Sequence, residues 1–294
     1  MARAWKSLEG LSVGDAFGQC FFVNAAVLES LIEQRAIPKS PWNCTDDTVM
    51  ALSVVETLER FGHIEQDALA ELFGLRYLAD DCRCYGATAH DILRDIASGQ
   101  DWRVVAGQVF DGAGSMGNGG AMRAAPIGGF AENEPELAAS EAAKSAEVTH
   151  AHPEGKAGAI AVAIAAAVVN AASSPAEMFS AVLAYTPQGE THAGIALAAA
   201  LPLDRDVKSA VELLGNGSRV ISQDTVPFSL WCAAKSFNNF TDAMWITVSG
   251  LGDRDTTCAI VGGILALREA AGPIPQEWIS AREPFDQLPK AAAL

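Results

Sequence analysis

Between Asp46 and Phe61, apolar residues recur at Val49, Leu52, Val55 and Leu58, a spacing that lines one face of a helix. Thr45 stands where an N-cap belongs, and Gly62 supplies a stop. The stretch from Pro153 to Ala172 opens with Pro and Glu, which suit a first turn, and then runs through Ala, Ile and Val. Its all-round apolar character predicts a buried core helix. Asp224 to Ser236, Phe240 to Val248 and Asp255 to Ala271 read as further helices, the last ended by Gly272-Pro273. The alternation expected of half-exposed strands is scarce. Gly112–Gly120 and Gly215–Gly217 are predicted to be loops that allow close backbone approach. No linker, charge block or short repeat divides the chain. The expected fold is therefore all-α, a single domain over residues 1–294 built as an orthogonal helical bundle.

Composition changes this picture only at its edges. Of the 294 residues, 50% are apolar and 19% charged, enough for a sizeable core. The formal charge of -16 argues against binding to nucleic acid or to an anionic membrane. The most apolar run, Ala157 to Ala172, is shorter than the roughly 20 residues a membrane span needs. None of the six cysteines forms a Cys-x-x-Cys pair, and Cys82-Arg83-Cys84 is too tight for a zinc knuckle. They read as free thiols in a reducing compartment. Met1–Lys6 lacks the apolar segment of a secretory signal, so the expected location is the cytoplasm.

The chemistry concentrates in two acidic clusters, Thr45-Asp46-Asp47-Thr48 and Asp253-Arg254-Asp255-Thr256-Thr257. Each sits where a loop meets a predicted helix, so one carboxylate in each suits a cap and the helix dipole. A second carboxylate exceeds what capping needs and repels the first unless a cation lies between them. Carboxylates and hydroxyls without thiolate or imidazole suit Mg²⁺, Mn²⁺ or Ca²⁺ rather than zinc. If the fold joins the clusters, they supply the oxygens for a binuclear site with ions about 3.5–4 Å apart. The consecutive backbone N–H groups of Gly114–Gly120 suit a phosphate or diphosphate, though a surface turn reads the same way. No P-loop lysine or preceding strand supports an ATPase or a Rossmann fold. In Thr149-His150-Ala151-His152-Pro153, the pair of histidines lacks a zincin-like glutamate, which favours a substrate contact with a capping neighbour over zinc. His63, His90 and His192 read as surface or structural, and no Gly-x-Ser-x-Gly elbow is present.

Taken in order, Gly14-Asp15-Ala16-Phe17-Gly18, Thr45-Asp46-Asp47-Thr48, Gly117-Asn118-Gly119-Gly120-Ala121-Met122-Arg123, Thr149-His150 and Gly252-Asp253-Arg254-Asp255-Thr256 resemble the ADP-ribosylglycohydrolases. That family includes the (ADP-ribosyl)hydrolases and the dinitrogenase reductase-activating glycohydrolase. Tyr85-Gly86 and Ile274-Pro275-Gln276-Glu277-Trp278 are smaller echoes, and the likeness spans nearly the whole chain. The resemblance implies an all-α fold with a two-metal centre in a cleft. It implies Thr45, Asp46, Asp47, Asp253, Asp255 and Thr256 as ligands of two divalent cations, Mg²⁺ with Mn²⁺ as the alternative. Gly114, Ser115, Met116, Gly117, Asn118 and Gly119 would line the diphosphate and distal ribose, and His150 would contact the substrate. Asp46 or Asp47 would accept a proton from the attacking water. The implied activity is hydrolysis at the anomeric carbon of ADP-ribose, releasing it from a modified protein or another acceptor. A hydrolase of a small ADP-ribose conjugate and an inactive structural member of the family are the alternatives.

Four positions depart from the family pattern, and of these Thr257 and Cys258 read as packing. Phe22 stands where many members carry a glutamate near the scissile bond, which makes serine-linked and poly(ADP-ribose) substrates less expected and leaves arginine-linked ones open. Arg254 replaces a small residue between the two aspartates, where it either weakens one metal site or, as divergence of alternate residues in a cap favours, points outward to solvent.

Overall fold

A computed structural model describes residues 1–291. Among these residues the regular structure is helical, with isolated extended pairings at Trp42–Arg282 and Gly117–Ile221 in place of a sheet. The first part of the chain forms α1 (Ala2–Gln19), α2 (Ala25–Glu33), α3 (Asp46–Phe61), α4 (Gln66–Ala79), α5 (Ala87–Ala97) and α6 (Trp102–Gln108). The middle forms α7 (Gly119–Met122), α8 (Ala125–Phe130), α9 (Pro135–Glu147), α10 (Pro153–Val168), α11 (Pro175–Tyr185) and α12 (Glu190–Ala200). The last part forms α13 (Val207–Leu214), α14 (Ser222–Lys235), α15 (Phe240–Ser249), α16 (Arg254–Leu265) and α17 (Gln276–Ala281).

Helix α3 has the predicted bounds. The Thr45 hydroxyl accepts from the Asp47 amide, and Gly62 closes the helix in the left-handed region at φ 73°. Two predicted helices are too long. Helix α10 stops at Val168 rather than Ala172, and α16 stops at Leu265 rather than Ala271. Arg268 accounts for both ends. Its Nη1 donates to the carbonyls of Val169 at 2.7 Å and Ala172 at 2.9 Å, which replaces the helical bonds those carbonyls would accept. Its own backbone is extended, at φ -89° and ψ 112°. Helix α14 starts two residues before the predicted Asp224, and the end of the glycine-rich segment, from Gly119, winds into the single turn of α7.

Helices α1, α10, α14 and α16 are buried on nearly every side, and amphipathic helices such as α5 and α13 pack outside them. The contact that matters most for the site is between α1 and α16. Gly10, Gly14 and Gly18 repeat every four residues and form one stripe along α1. A β-carbon on each would overlap a backbone carbonyl of α16: that of Gly262, Cys258 and Arg254 in turn. The two helices therefore run backbone to backbone, and residues from opposite ends of the chain are brought side by side. An aromatic cluster holds the same region. Phe17 stacks on Trp278 with centroids 4.7 Å apart and meets the edges of Phe21 and Trp245, while Trp42 packs against Phe17 and Trp278.

Gly14→Ala should lower stability by about 2 kcal/mol or more, because overlap with the α16 backbone outweighs the ~1 kcal/mol that alanine gains in an open helix. Gly107, in α6, has nothing within 4 Å of its β-position, so Gly107→Ala should be neutral or stabilising. Urea midpoints of the two variants measure this difference. An unshifted midpoint for Gly14→Ala would show that the helices are not in backbone contact there.

Candidate active site

The α1–α16 contact places the start of α16 beside the start of α3, and the two acidic clusters meet there. Asp46, Asp47, Asp253, Asp255 and Thr256 line one cavity of about 480 Å³. Ser115, Met116, Gly117, Asn118, Gly119 and His150 line the same cavity. Thr45 and Gly114 lie behind its wall. The Thr45 hydroxyl donates to Asp15 Oδ1 at 2.8 Å and lies 3.2 Å from Asp47 Oδ2, and Gly114 packs on the backbone of Ala151 and His152.

Asp15 is the site residue to which the sequence reading gave no role. It is fully buried on α1, and its carboxylate accepts from the Thr45 amide at 3.0 Å, the Thr48 amide at 3.2 Å and the hydroxyls of Thr45 and Thr48. It thus caps the first turn of α3 from another helix and fixes that turn against α1. A charged residue inside the apolar run Leu11–Phe17 was the readable signal. Thr45 and Asp15 do the capping, so Asp46 and Asp47 are released from it. At α16, Asp253 makes no side-chain cap, and its Oδ2 instead accepts from Asn118 Nδ2 at 2.7 Å.

These acids are in an unfavourable state for charge. Burial, with Asp15 next, pushes Asp46 up to about 8, and burial lifts Asp47 and Asp255 well above the ordinary carboxylate range. Asp15 is raised by burial to about 6 in spite of its hydrogen bonds. Asp47 Oδ1 and Asp255 Oδ1 are buried oxygens without a hydrogen-bond partner. Hard anionic oxygens, unpartnered and crowded by like charges at two helix N-termini, fit a divalent cation. Among the described residues, no three Asp, Glu, His or Cys side chains close round one point.

Arg254 does not join them, and it does not reach out to solvent as expected. Its Nη1 donates to the Phe21 carbonyl at 3.0 Å, and its guanidinium lies 4.6 Å from the centre of the Phe22 ring. The attraction of the aromatic face and a free carbonyl at the end of α1 holds it back against the protein. Arg254 and Phe22 therefore pack against each other.

The glycine-rich loop also has a duty inside the protein. Gly117 donates to Ser115 Oγ at 3.1 Å and Asn118 to the Val220 carbonyl at 3.3 Å, so these two amides are already bonded within the protein. A β-carbon on Gly119 would sit 2.7 Å from His150 Cε1, and one on Gly117 would sit 3.0 Å from Nε2. The missing side chains make the slot in which the His150 ring lies. Behind it, Arg123 is fully buried and donates to Thr149 Oγ1 at 2.9 Å, Ser145 O at 2.6 Å and Gly119 O at 3.1 Å. Thr149 Oγ1 lies 2.7 Å from His150 Nδ1. Among the described residues, His150 Nδ1 is the one acceptor within reach of the buried Thr149 hydroxyl hydrogen, so the hydroxyl donates to Nδ1 and the proton of the neutral imidazole falls on Nε2. Burial, with Arg123 second, holds His150 down at about 3, so the ring is a neutral donor. His152 caps α10 by accepting from the Glu154 amide, as a local neighbour should.

The rest of the lining is Met50, Cys84, Gly86 to Ala89, Leu93, Phe110, Met122, Thr149 and the segment Arg219–Ile221. Met50 and Met122 belong to α3 and α7, Ala87, Thr88, Ala89 and Leu93 to α5, and the others to connecting segments.

The family model for ADP-ribosylglycohydrolase matches residues 1–294. The ADP-ribosylhydrolase ARH3 of Mus musculus is 27% identical over 325 residues, covering 95% of this chain and 87% of its own. An uncharacterized protein of Archaeoglobus fulgidus is 29% identical, covering 95% and 92%. A solved structure titled "ADP-ribosylglycohydrolase-related protein complex" superposes with a TM-score of 0.66 at 22% identity, over 96% of this chain and 92% of that one, and so shares the fold.

Nitrogen-15 NMR of histidine-labelled protein should find His150 neutral, with the proton on Nε2, throughout pH 5 to 8. Thr149→Val removes the donor to Nδ1 and should release the second tautomer, whereas Thr149→Ser should preserve the first. An imidazolium signal from His150 above pH 5 would contradict this arrangement.

Proposed function

The chain belongs to the ADP-ribosylglycohydrolase family, a family of glycosidic-bond hydrolases, and from that premise we propose that it cleaves the bond at the anomeric carbon of ADP-ribose and releases ADP-ribose from a modified protein or a small conjugate. The observation that carries the reading is the shared cavity, in which four carboxylates from opposite ends of the chain face the glycine-rich loop and His150.

Asp46, Asp47, Asp253, Asp255 and Thr256 would hold divalent cations, with Thr45 supporting them from behind. Their oxygens favour Mg²⁺, or Mn²⁺, over softer metals. Bound there, the cations would supply Lewis-acid activation of water and a grip on ribose hydroxyls. The chain's own groups account for the remaining work. Departure of the leaving group builds positive charge on the ribose ring. Asp46 or Asp47 accepts the proton of the attacking water. His150 donates through Nε2 to a substrate oxygen beside Gly117 and Gly119. Phe110, 61% exposed at the cavity mouth with its backbone at φ 54°, offers an apolar platform for a nucleobase, and Leu93 and Met116 add apolar wall. Binding energy at this end aligns the reacting carbon at the other.

Among the described residues, no helix is long and apolar enough to cross a membrane, and all six cysteines are free. We place the protein in the cytoplasm on the chemistry of those thiols.

Purified protein with Mg²⁺, offered arginine-linked, serine-linked and ester-linked ADP-ribose side by side, should release ADP-ribose from at least one. No release from any of them would defeat the reading. Asp47→Asn and Asp255→Asn should each reduce turnover by more than about 100-fold, the scale on which loss of one charged group in a preorganised site is felt. Each should also raise the melting temperature in chelator, because one of the crowded charges is gone, and should reduce the gain in melting temperature on adding Mg²⁺. A full Mg²⁺ response in both variants would show that these carboxylates are not the ligands.

A further inference from the structure

The cavity carries four carboxylates, and among the described residues one Lys or Arg, Arg219, lines it. The other cations nearby are committed elsewhere. Arg123 is spent behind the wall on Ser145, Thr149 and Gly119. Arg254 lies on Phe22, and Arg83 pairs with Asp80 and Glu283. Arg219 is exposed and makes no ion pair among the described residues.

Its backbone is held as firmly as its side chain is free. Asp224 Oδ2 accepts from the Arg219 amide at 2.8 Å, and Asp224 O accepts from Gly217 at 3.1 Å. The next residue, Val220, has φ 55°, a strained conformation that is an outlier for a β-branched side chain. It is held there by a bond from its own amide to Gly217 O at 2.7 Å and by Asn118 N–H donating to its carbonyl at 3.3 Å. Ile221 pairs with Gly117, and Ser222 N–H donates to Met116 O at 3.0 Å. The Arg219 segment is thus laced along its length to the glycine-rich loop. A strained, pinned turn that presents one unpaired guanidinium to an acidic cavity has an anion as its natural partner.

We propose that Arg219 is a specificity-determining contact for a phosphate-bearing substrate, its guanidinium pairing with diphosphate oxygens beside the glycine-rich loop. This rests on the ADP-ribose reading and deepens it. Much of the cavity wall repels anions, and its cation-binding carboxylates belong to the ribose end, so the diphosphate draws its positive partner from the protein. The contact would select nucleoside-diphosphate conjugates over phosphate-free ribosides.

Titration calorimetry of the full chain with ADP-ribose in Mg²⁺ tests it. Arg219→Gln should weaken binding about 10- to 100-fold, the range for a lost hydrogen bond to a charged group, and Arg219→Lys should recover part of the loss. Added KCl should weaken wild-type binding more steeply than that of Arg219→Gln. Melting curves check that both variants fold, as expected for an exposed side chain. Affinities of wild type and Arg219→Gln within twofold of each other would overturn the proposal while leaving the hydrolase reading intact. Wild-type protein that fails to bind ADP-ribose would overturn both.

Discussion

Backbone contact between α1 and α16, made along Gly10, Gly14 and Gly18, is the constraint on which the rest of the structure depends. Ordinary side chains hold helix axes 8–10 Å apart, and glycine allows a closer approach. That approach brings Asp15 of α1 to the level of Asp255 on α16, and Asp15 in turn grips Thr45 and Thr48 at the start of α3. One stripe of missing β-carbons therefore sets the separation of two acidic clusters some two hundred residues apart in the chain. The aromatic cluster of Phe17, Trp42, Trp245 and Trp278 stiffens the same junction from the outside.

The junction concentrates charge that the fold does not itself neutralise. Asp46, Asp47 and Asp255 are raised first by burial and then by the neighbouring Asp15 and Asp253 carboxylates, and two of their oxygens have no partner. A structure selected only for stability would replace such groups or pair them. Retaining them exchanges stability for a site, a trade seen where local rules are broken at functional centres. The inner cation, Arg123, only slightly relieves Asp46, and its hydrogen bonds are spent on Thr149 and the carbonyls around it. It acts instead on the orientation of His150, and so connects the fold's interior to a polar group in the cavity wall.

The glycines of the loop illustrate how one residue type answers two demands. Gly117 and Gly119 suit a backbone cradle for phosphate, and the same absence of side chains makes the slot for the His150 ring. Asn118, from the middle of that loop, reaches Asp253 and joins the loop to the acid cluster. Both facts need positions far apart in the chain, so no local reading reaches them. Arg254 carries the same lesson in reverse. Its neighbours in sequence are carboxylates, yet its partners are Phe21 and Phe22 at the end of α1, because α16 is pressed against that helix.

The sequence alone determined the helical class, the bounds of α3 with its Thr45 cap and Gly62 stop, and the identity of the carboxylates that share the cavity. These follow from periodicity, capping chemistry and the cost of adjacent like charges, which act over a few residues. It overran α10 and α16, because the ends of both are set by Arg268, whose carbonyl partners lie about a hundred residues away. Tertiary structure decided the role of Asp15, the donor state of His150 and the presentation of Arg219. Each depends on which distant atoms complete its hydrogen bonds or leave it unpaired, and only the packed fold specifies that.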